Sequence, residues 1–220
     1  MKDKVKYILE LPILEAKENL DKDCDIIGLK FNENMNDGMK VLKDLLPFIK
    51  KPLMIRGCGN ENIDKEFLPQ IMELVDRECI FGIINENNYK EIVPTAIKKG
   101  HKVIIRTPID INLAKEMNIL TSDMGLGLDK IIIDTDIGGL GYGLEYGYST
   151  IEKISLENDK YLNMPIISFV AEETGKTKEA KDKTLALFLE ISATTAVKAA
   201  GVEYIVMTKE EALKTLRGLN

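Results

Sequence analysis

The stretch DTDIGGLGYGLEYGYS, residues 134–149, holds five glycines, three tyrosines and three acids. One use of such a run is a phosphate or nucleotide cradle, where glycine lets the backbone close on an anion. Another is a flat contact surface, where glycines admit a close neighbour and tyrosines supply stiff amphipathic area. A tight strand-to-helix turn with packing tyrosines is the purely structural alternative. The cradle motifs fit poorly. In G-x-G-x-x-G, Gly139 and Gly141 take the first two places, but Leu144 stands where the third glycine belongs. A G-x-x-x-x-G-K-[ST] loop is missing altogether. The acids Asp134, Asp136 and Glu145 are of a type that does general acid-base work or holds a hard cation. Capping the next helix, or pairing with Arg56 or Arg106, is the favoured role. No residue is assigned as catalytic and none as a metal ligand.

Other reactive residues are sparse. The three cysteines, Cys24, Cys58 and Cys79, lie far apart without a CxxC, so this chain supplies no four-cysteine iron-sulfur or zinc site. Buried thiols in a reducing compartment are the expectation. The single histidine, His101, precedes a strand, and a structural role is expected of it. Lys30 is the only strand-borne lysine expected near a functional face, and nothing in its neighbours argues for a lowered pKa.

The elements that must position these residues are short apolar runs. They read DIIGLKF (25–31), PLMIRG (52–57), CIFGIIN (79–85), KVIIRT (102–107), KIIIDT (130–135), PIISFVA (165–171), a weaker LFLEIS (187–192) and EYIVMT (203–208). Most are apolar nearly throughout, as strands covered on both faces are. Amphipathic stretches separate them: 38–51, 64–77 with Asp64 as N-cap, 89–100 ending at a C-cap glycine, and 209–218. Eight strand-helix units in 220 residues predict an α/β protein, a (β/α)8 TIM barrel forming a single domain over 1–220. Sites in that fold are built from the loops after the strands. Those loops carry Lys30–Asn34, Arg56–Asn62, Asn85–Asn88, Thr107–Asn112, Asp134–Ser149, Glu172–Lys178 and Ser192–Thr195.

Net charge is -6 without a basic block, so neither nucleic acid nor an anionic membrane is an expected partner. The start has Lys2 and Lys4 before an apolar patch, but Glu10 and Glu15 interrupt it. No signal peptide and a cytoplasmic location are expected.

Three segments carry a family resemblance: DINLAKEMNIL (110–120), DKIIIDTDIGGLGYGLEYGYSTIEKI (129–154) and MPIISFVAEETGKTKEAK (164–181). They resemble the delta, or small, subunit of the corrinoid iron-sulfur protein of the CO dehydrogenase/acetyl-CoA synthase (acetyl-CoA decarbonylase/synthase) system. The resemblance runs from about residue 50 to 181 and weakens on either side. It implies a barrel related to pterin-binding methyltransferases. It also implies a large (gamma) subunit as partner, which carries the iron-sulfur cluster and a corrinoid domain. Cobalamin would lie at the subunit interface, with a pterin as a second cofactor the relationship allows. The pair would ferry a methyl group on cobalt from a methyl-tetrahydropterin or folate to acetyl-CoA synthase, in one-carbon metabolism of Wood-Ljungdahl type.

On this reading the chain is a non-catalytic subunit, shortened relative to its family or a paralogue of it. Cofactor contacts fall on Asn85, Arg106, Asp134, Gly139, Gly141, Tyr142, Gly143 and Glu145. Gly141→Val would block approach of the corrinoid or the partner. Two alternatives stand beside it. One is a free-standing pterin- or corrinoid-dependent methyltransferase, with Asn85, Asp134 and Arg106 holding the pterin. The other is a non-catalytic barrel kept as a binding scaffold. A homodimer through the mouth is expected where the partner is absent.

Overall fold

A computed structural model, describing residues 5–218, closes eight parallel strands into a barrel. The strands are β1 (Lys6–Pro12), β2 (Ile26–Lys30), β3 (Leu53–Arg56), β4 (Ile80–Ile84), β5 (Lys102–Arg106), β6 (Ile131–Asp134), β7 (Ile166–Ser168) and β8 (Tyr204–Met207). Each pairs with its sequence neighbour, and β1 pairs with β8 to close the ring. The helices outside are α1 (Met35–Leu45), α2 (Glu61–Leu74), α3 (Tyr89–Lys99), α4 (Ile111–Asp123), α5 (Leu144–Leu156), α6 (Val170–Gly175), α7 (Lys183–Ala200) and α8 (Glu210–Gly218). Lys2 and Lys4 lie outside the described residues.

The strand count of eight holds, but its members change at two places. LFLEIS was expected as the seventh strand and lies inside α7. Its buried residues, Ala186, Glu190, Ala193, Thr194 and Val197, recur at helical spacing. Asp182 caps the helix by accepting from the N–H groups of Thr184 and Leu185 at 2.8 and 2.9 Å. Ser192–Thr195 therefore lies within a helix and not in a mouth loop. The missing strand is KYILELP at the start, whose Glu10 had read as an interruption.

Asp64 is not an N-cap. Asn60 takes that place, accepting from Asn62 N–H at 3.2 Å. The buried Asp64 carboxylate instead accepts from Cys58 N–H at 2.8 Å and Gly59 N–H at 2.9 Å, which folds the loop after β3 back on itself. Gly100 ends α3 in the left-handed conformation at φ 72°, as expected.

Two apolar layers result. The larger lies between strands and helices. The smaller fills the barrel and includes Ile8, Ile26, Met54, Ile104, Ile132 and Ile167. Space in it is tight: a Cβ on Gly28 would lie 3.1 Å from atoms of Ile8, Glu10 and Met54. Among the described residues no helix is long and apolar enough to cross a membrane.

Candidate functional site at the barrel mouth

Side chains alternate across a strand, so residues two apart share a face. Two positions beyond the inward Ile8, Met54, Ile104 and Ile132 stand Glu10, Arg56, Arg106 and Asp134. The barrel interior thus changes from apolar to charged in one step toward the C-terminal ends of the strands. Phe169 follows Ile167 in the same way, and both guanidiniums rest on its ring, with Cζ of Arg56 at 4.7 Å and of Arg106 at 5.0 Å from the centroid.

The charges form one chain across the mouth. Arg56 Nη2 donates to Glu10 Oε1 at 2.7 Å, and its Nη1 donates to Glu172 Oε2. Arg106 Nε donates to Asp134 Oδ2 at 2.5 Å, and its Nη1 and Nη2 reach the two Glu172 oxygens at 3.4 and 3.5 Å. Asp134 is fully buried, and its other oxygen accepts from Asp136 N–H at 2.9 Å. Burial pushes the Asp134 carboxyl upward, against the pull of Arg106. Burial would raise Glu172 too, but the charges of Arg106 and Arg56 overturn that and bring it down to about 2. Burial works to lower Arg106, and its two carboxylate neighbours more than reverse this. The five side chains pair with one another, while Glu10 Oε2 and Arg56 Nε are buried without a hydrogen-bond partner among the described residues.

Beside the network lies a cavity of about 230 Å³ lined in part by Lys30, Arg56, Cys58, Asn85, Arg106 and Glu172. Asn85 Nδ2 donates to Glu61 Oε1 at 2.7 Å, and Asn85 N–H donates to Asn88 Oδ1 at 2.8 Å. Burial raises the Cys58 thiol above its ordinary value. Among the described residues there is no group of three or more His, Cys, Asp or Glu that could hold a metal ion.

The glycine run forms a separate feature on the rim. Gly138, Gly141 and Gly143 stand at φ 66°, 89° and 124°, where only glycine sits without strain. Gly147 lets α5 pack on the preceding loop, since a Cβ there would lie 2.6 Å from Ile137 Cα. Glu145 Oε2 accepts from Gly143 N–H at 3.1 Å, at the start of α5. Tyr148 packs against the core, while Tyr142 and Tyr146 are 85% and 59% exposed. Ile109 is also exposed, and its Cδ1 would lie 3.4 Å from a Cβ on Gly138. Both readings of the run are thus partly realised: glycines make the turn, and two tyrosines face outward.

Of the sequence-derived candidates, Asn85 and Arg106 line the cavity, and Asp134 stands behind Arg106. Gly139, Gly141, Tyr142, Gly143 and Glu145 do not line it. Gly141→Val is a poor probe of contact, because at φ 89° it strains the backbone itself. Sequence reasoning missed Glu10 and the bridging role of Glu172. The signal for Glu10 was available: the final inward position of several strands is charged where the one before it is apolar.

Comparison with known proteins places the chain. Residues 12–211 match the family described as CO dehydrogenase/acetyl-CoA synthase delta subunit. The acetyl-CoA decarbonylase/synthase complex subunit delta of Methanopyrus kandleri is 31% identical over 139 residues, covering 61% of this chain and 35% of that protein. The subunit delta of Archaeoglobus fulgidus is 34% identical over 139 residues, 60% of this chain and 31% of that one. That of Methanocaldococcus jannaschii is 28% identical over 200 residues, 84% of this chain and 49% of that one. The chain thus spans about a third to a half of the length of these curated relatives. Among solved structures, dihydropteroate synthase of Xanthomonas albilineans with 4-aminobenzoic acid superposes with a TM-score of 0.72 at 8% identity, over 99% of this chain and 93% of that one. The Coxiella burnetii enzyme with pteroic acid gives 0.71 at 12% identity, over 99% and 92%. That likeness establishes the TIM-barrel fold alone. By sequence, the chain belongs to the family of CO dehydrogenase/acetyl-CoA synthase delta subunits.

Proposed function

We propose that this chain, read as one barrel domain, is a non-catalytic partner in corrinoid-borne methyl transfer, seated against the large subunit that carries the corrinoid. The observation that carries the reading is the split between rim and interior. The rim offers exposed Tyr142, Tyr146 and Ile109 around a glycine-rich backbone. A corrin is broad and mostly apolar, with amides at its edge, and this rim suits it. Tyr142 and Tyr146 would carry the apolar contact, and the main chain at Gly139–Gly143 would meet the amides. When bound, the corrinoid supplies the cobalt that carries the methyl group. The barrel's own residues bind, orient and shield it from water.

The residues expected to hold a pterin, Asn85, Arg106 and Asp134, are engaged within the chain. A fused heterocycle needs free donors and acceptors along its edge. Both Asp134 oxygens are engaged, and both arginines are held by carboxylates. Pteroic acid is bound by the Coxiella burnetii dihydropteroate synthase, whose backbone this chain shares in outline. Here the mouth is occupied by the chain's own ion pairs.

The test is co-elution. The purified chain is mixed with hydroxocobalamin, and separately with a corrinoid-loaded large subunit, and each mixture is passed through a sizing column read in the visible. Corrin absorbance moving with this chain only in the presence of the large subunit supports the accessory reading. Retention of corrin by the chain alone, or demethylation of methylcobalamin with a pterin acceptor, replaces it with an independent methyltransferase. Failure of both leaves a scaffold.

A further inference from the structure

We propose that Arg56 and Arg106 form a clamp for a small carboxylate-bearing molecule, and that Glu172 occupies it as a built-in ligand which such a molecule displaces. This goes beyond the corrinoid reading and stands whether or not that reading holds.

The five charges are anchored unequally. Glu10, Arg56, Arg106 and Asp134 stand on barrel strands. Glu172 alone comes from a short helix, the six-residue α6. Its side chain is 24% exposed, against 8% for Arg56 and 1% for Asp134. It is the most exposed of the five and the one not fixed to a strand.

It also has somewhere to go. On the solvent side, Lys176 Nζ lies 3.8 Å from Glu172 Oε1, one helical turn further along. Lys176 also pairs with Glu173, so a carboxylate leaving the arginines shares that cation without crossing the barrel.

The clamp has room and spare donors. The cavity of about 230 Å³ opens beside it. Arg56 Nε is buried and has no hydrogen-bond partner among the described residues. A buried donor left unpaired is costly, and it is a position that a ligand oxygen would satisfy. Lys30 pairs in register with Arg56 on the neighbouring strand, lines the same cavity, and has no ion pair among the described residues.

The vacated donors select the ligand class. With Glu172 withdrawn, Arg56 keeps Glu10 and Arg106 keeps Asp134, but Arg56 Nη1 and both Nη groups of Arg106 lose the acceptor that joined them. A carboxylate presents two acceptor oxygens to those guanidinium donors in the bidentate geometry they favour. A cation placed there adds repulsion.

Chemical rescue tests this. Glu172→Ala empties the clamp. Thermal melting of the full chain is followed in an acetate series at constant ionic strength, with chloride making up the balance. The proposal expects a saturable rise in Tm specific to acetate. Half-saturation in Glu172→Ala should come at about tenfold lower acetate, or less, than in wild type, where tethered Glu172 competes. Equal response in both proteins, or no acetate-specific response in a folded Glu172→Ala, overturns it. Should Glu172→Ala fail to fold, Glu172→Asp carries the same comparison, since it withdraws the carboxylate by one methylene. Its failure to bind acetate more tightly than wild type is equally decisive against the clamp.

Discussion

The two ends of the barrel bury polar groups in opposite ways. At the bottom, His101 is fully buried and hydrogen-bonded to the backbone: Nε2 lies 3.1 Å from Met72 O, and Nδ1 accepts from Cys79 N–H at 3.3 Å. Burial lowers its pKa, so it is neutral, and its ring lies 4.7 Å from that of Phe81. Burial also drives the Cys79 thiol up to about 11. His101 is thus buried uncharged, with both ring nitrogens satisfied by nearby backbone. At the mouth, five ion-paired side chains from β1, β3, β5, β6 and α6 depend on one another across the barrel. The first arrangement is what stability alone favours. The second is weak evidence for stability, because desolvating charges offsets their attraction. A network of that kind sits where proteins place function.

Four measurements test this contrast. The largest effect belongs to Arg56→Ala, which leaves Glu10 buried without a cation. It should cost about 3–5 kcal/mol in urea unfolding. A cost below about 1 kcal/mol would mean that the mouth charges are solvated rather than interdependent.

Glu172→Gln follows, and its signature is the pH window. The carboxylate titrates near 4.5 when unfolded and at about 2 when folded. Its contribution is therefore fully present above about 4.5 and lost as pH falls toward 2, on the order of 3 kcal/mol at neutral pH. The gap between wild type and variant should close over that window. A gap that persists at acid pH would assign the effect to shape and not to charge.

The bottom titrates elsewhere. His101→Ala strands the Met72 carbonyl and the Cys79 N–H and should cost about 2 kcal/mol. The folded pKa of His101 lies below its unfolded value of 6.5. Wild type should therefore lose stability as pH drops below about 6.5, and the variant should lack that component. Matching slopes in the two proteins would show that His101 does not resist protonation. The smallest effect on stability belongs to the rim: Tyr142→Ala, at an exposed position, should change unfolding by less than about 0.5 kcal/mol.

The barrel was legible because apolar β-rich runs at regular spacing have few other solutions. Two errors show where that logic ends. LFLEIS has strand-like residues, but Glu190 within it turns inward to accept from Thr208 and Lys209 N–H at 2.8 and 3.0 Å, a tertiary role that local composition does not reveal. KYILELP did not read as a strand: Glu10 stood only as an acid breaking an apolar patch, yet it faces Arg56 inside the barrel. The candidate site was legible by halves. The rim stood out in the sequence through its glycines and tyrosines. The interior network did not, because Glu10 and Glu172 are 162 positions apart in the chain and only closure of the barrel brings both to Arg56.

The most direct test of the account compares Tyr142→Ala and Glu172→Gln for co-elution with the corrinoid-loaded large subunit, read in the visible on one column. The rim variant is expected to lose corrin absorbance from its peak, while the interior variant keeps it. The opposite pattern, with Tyr142→Ala unchanged and Glu172→Gln failing to associate, would contradict it and move the partner site from the rim into the mouth.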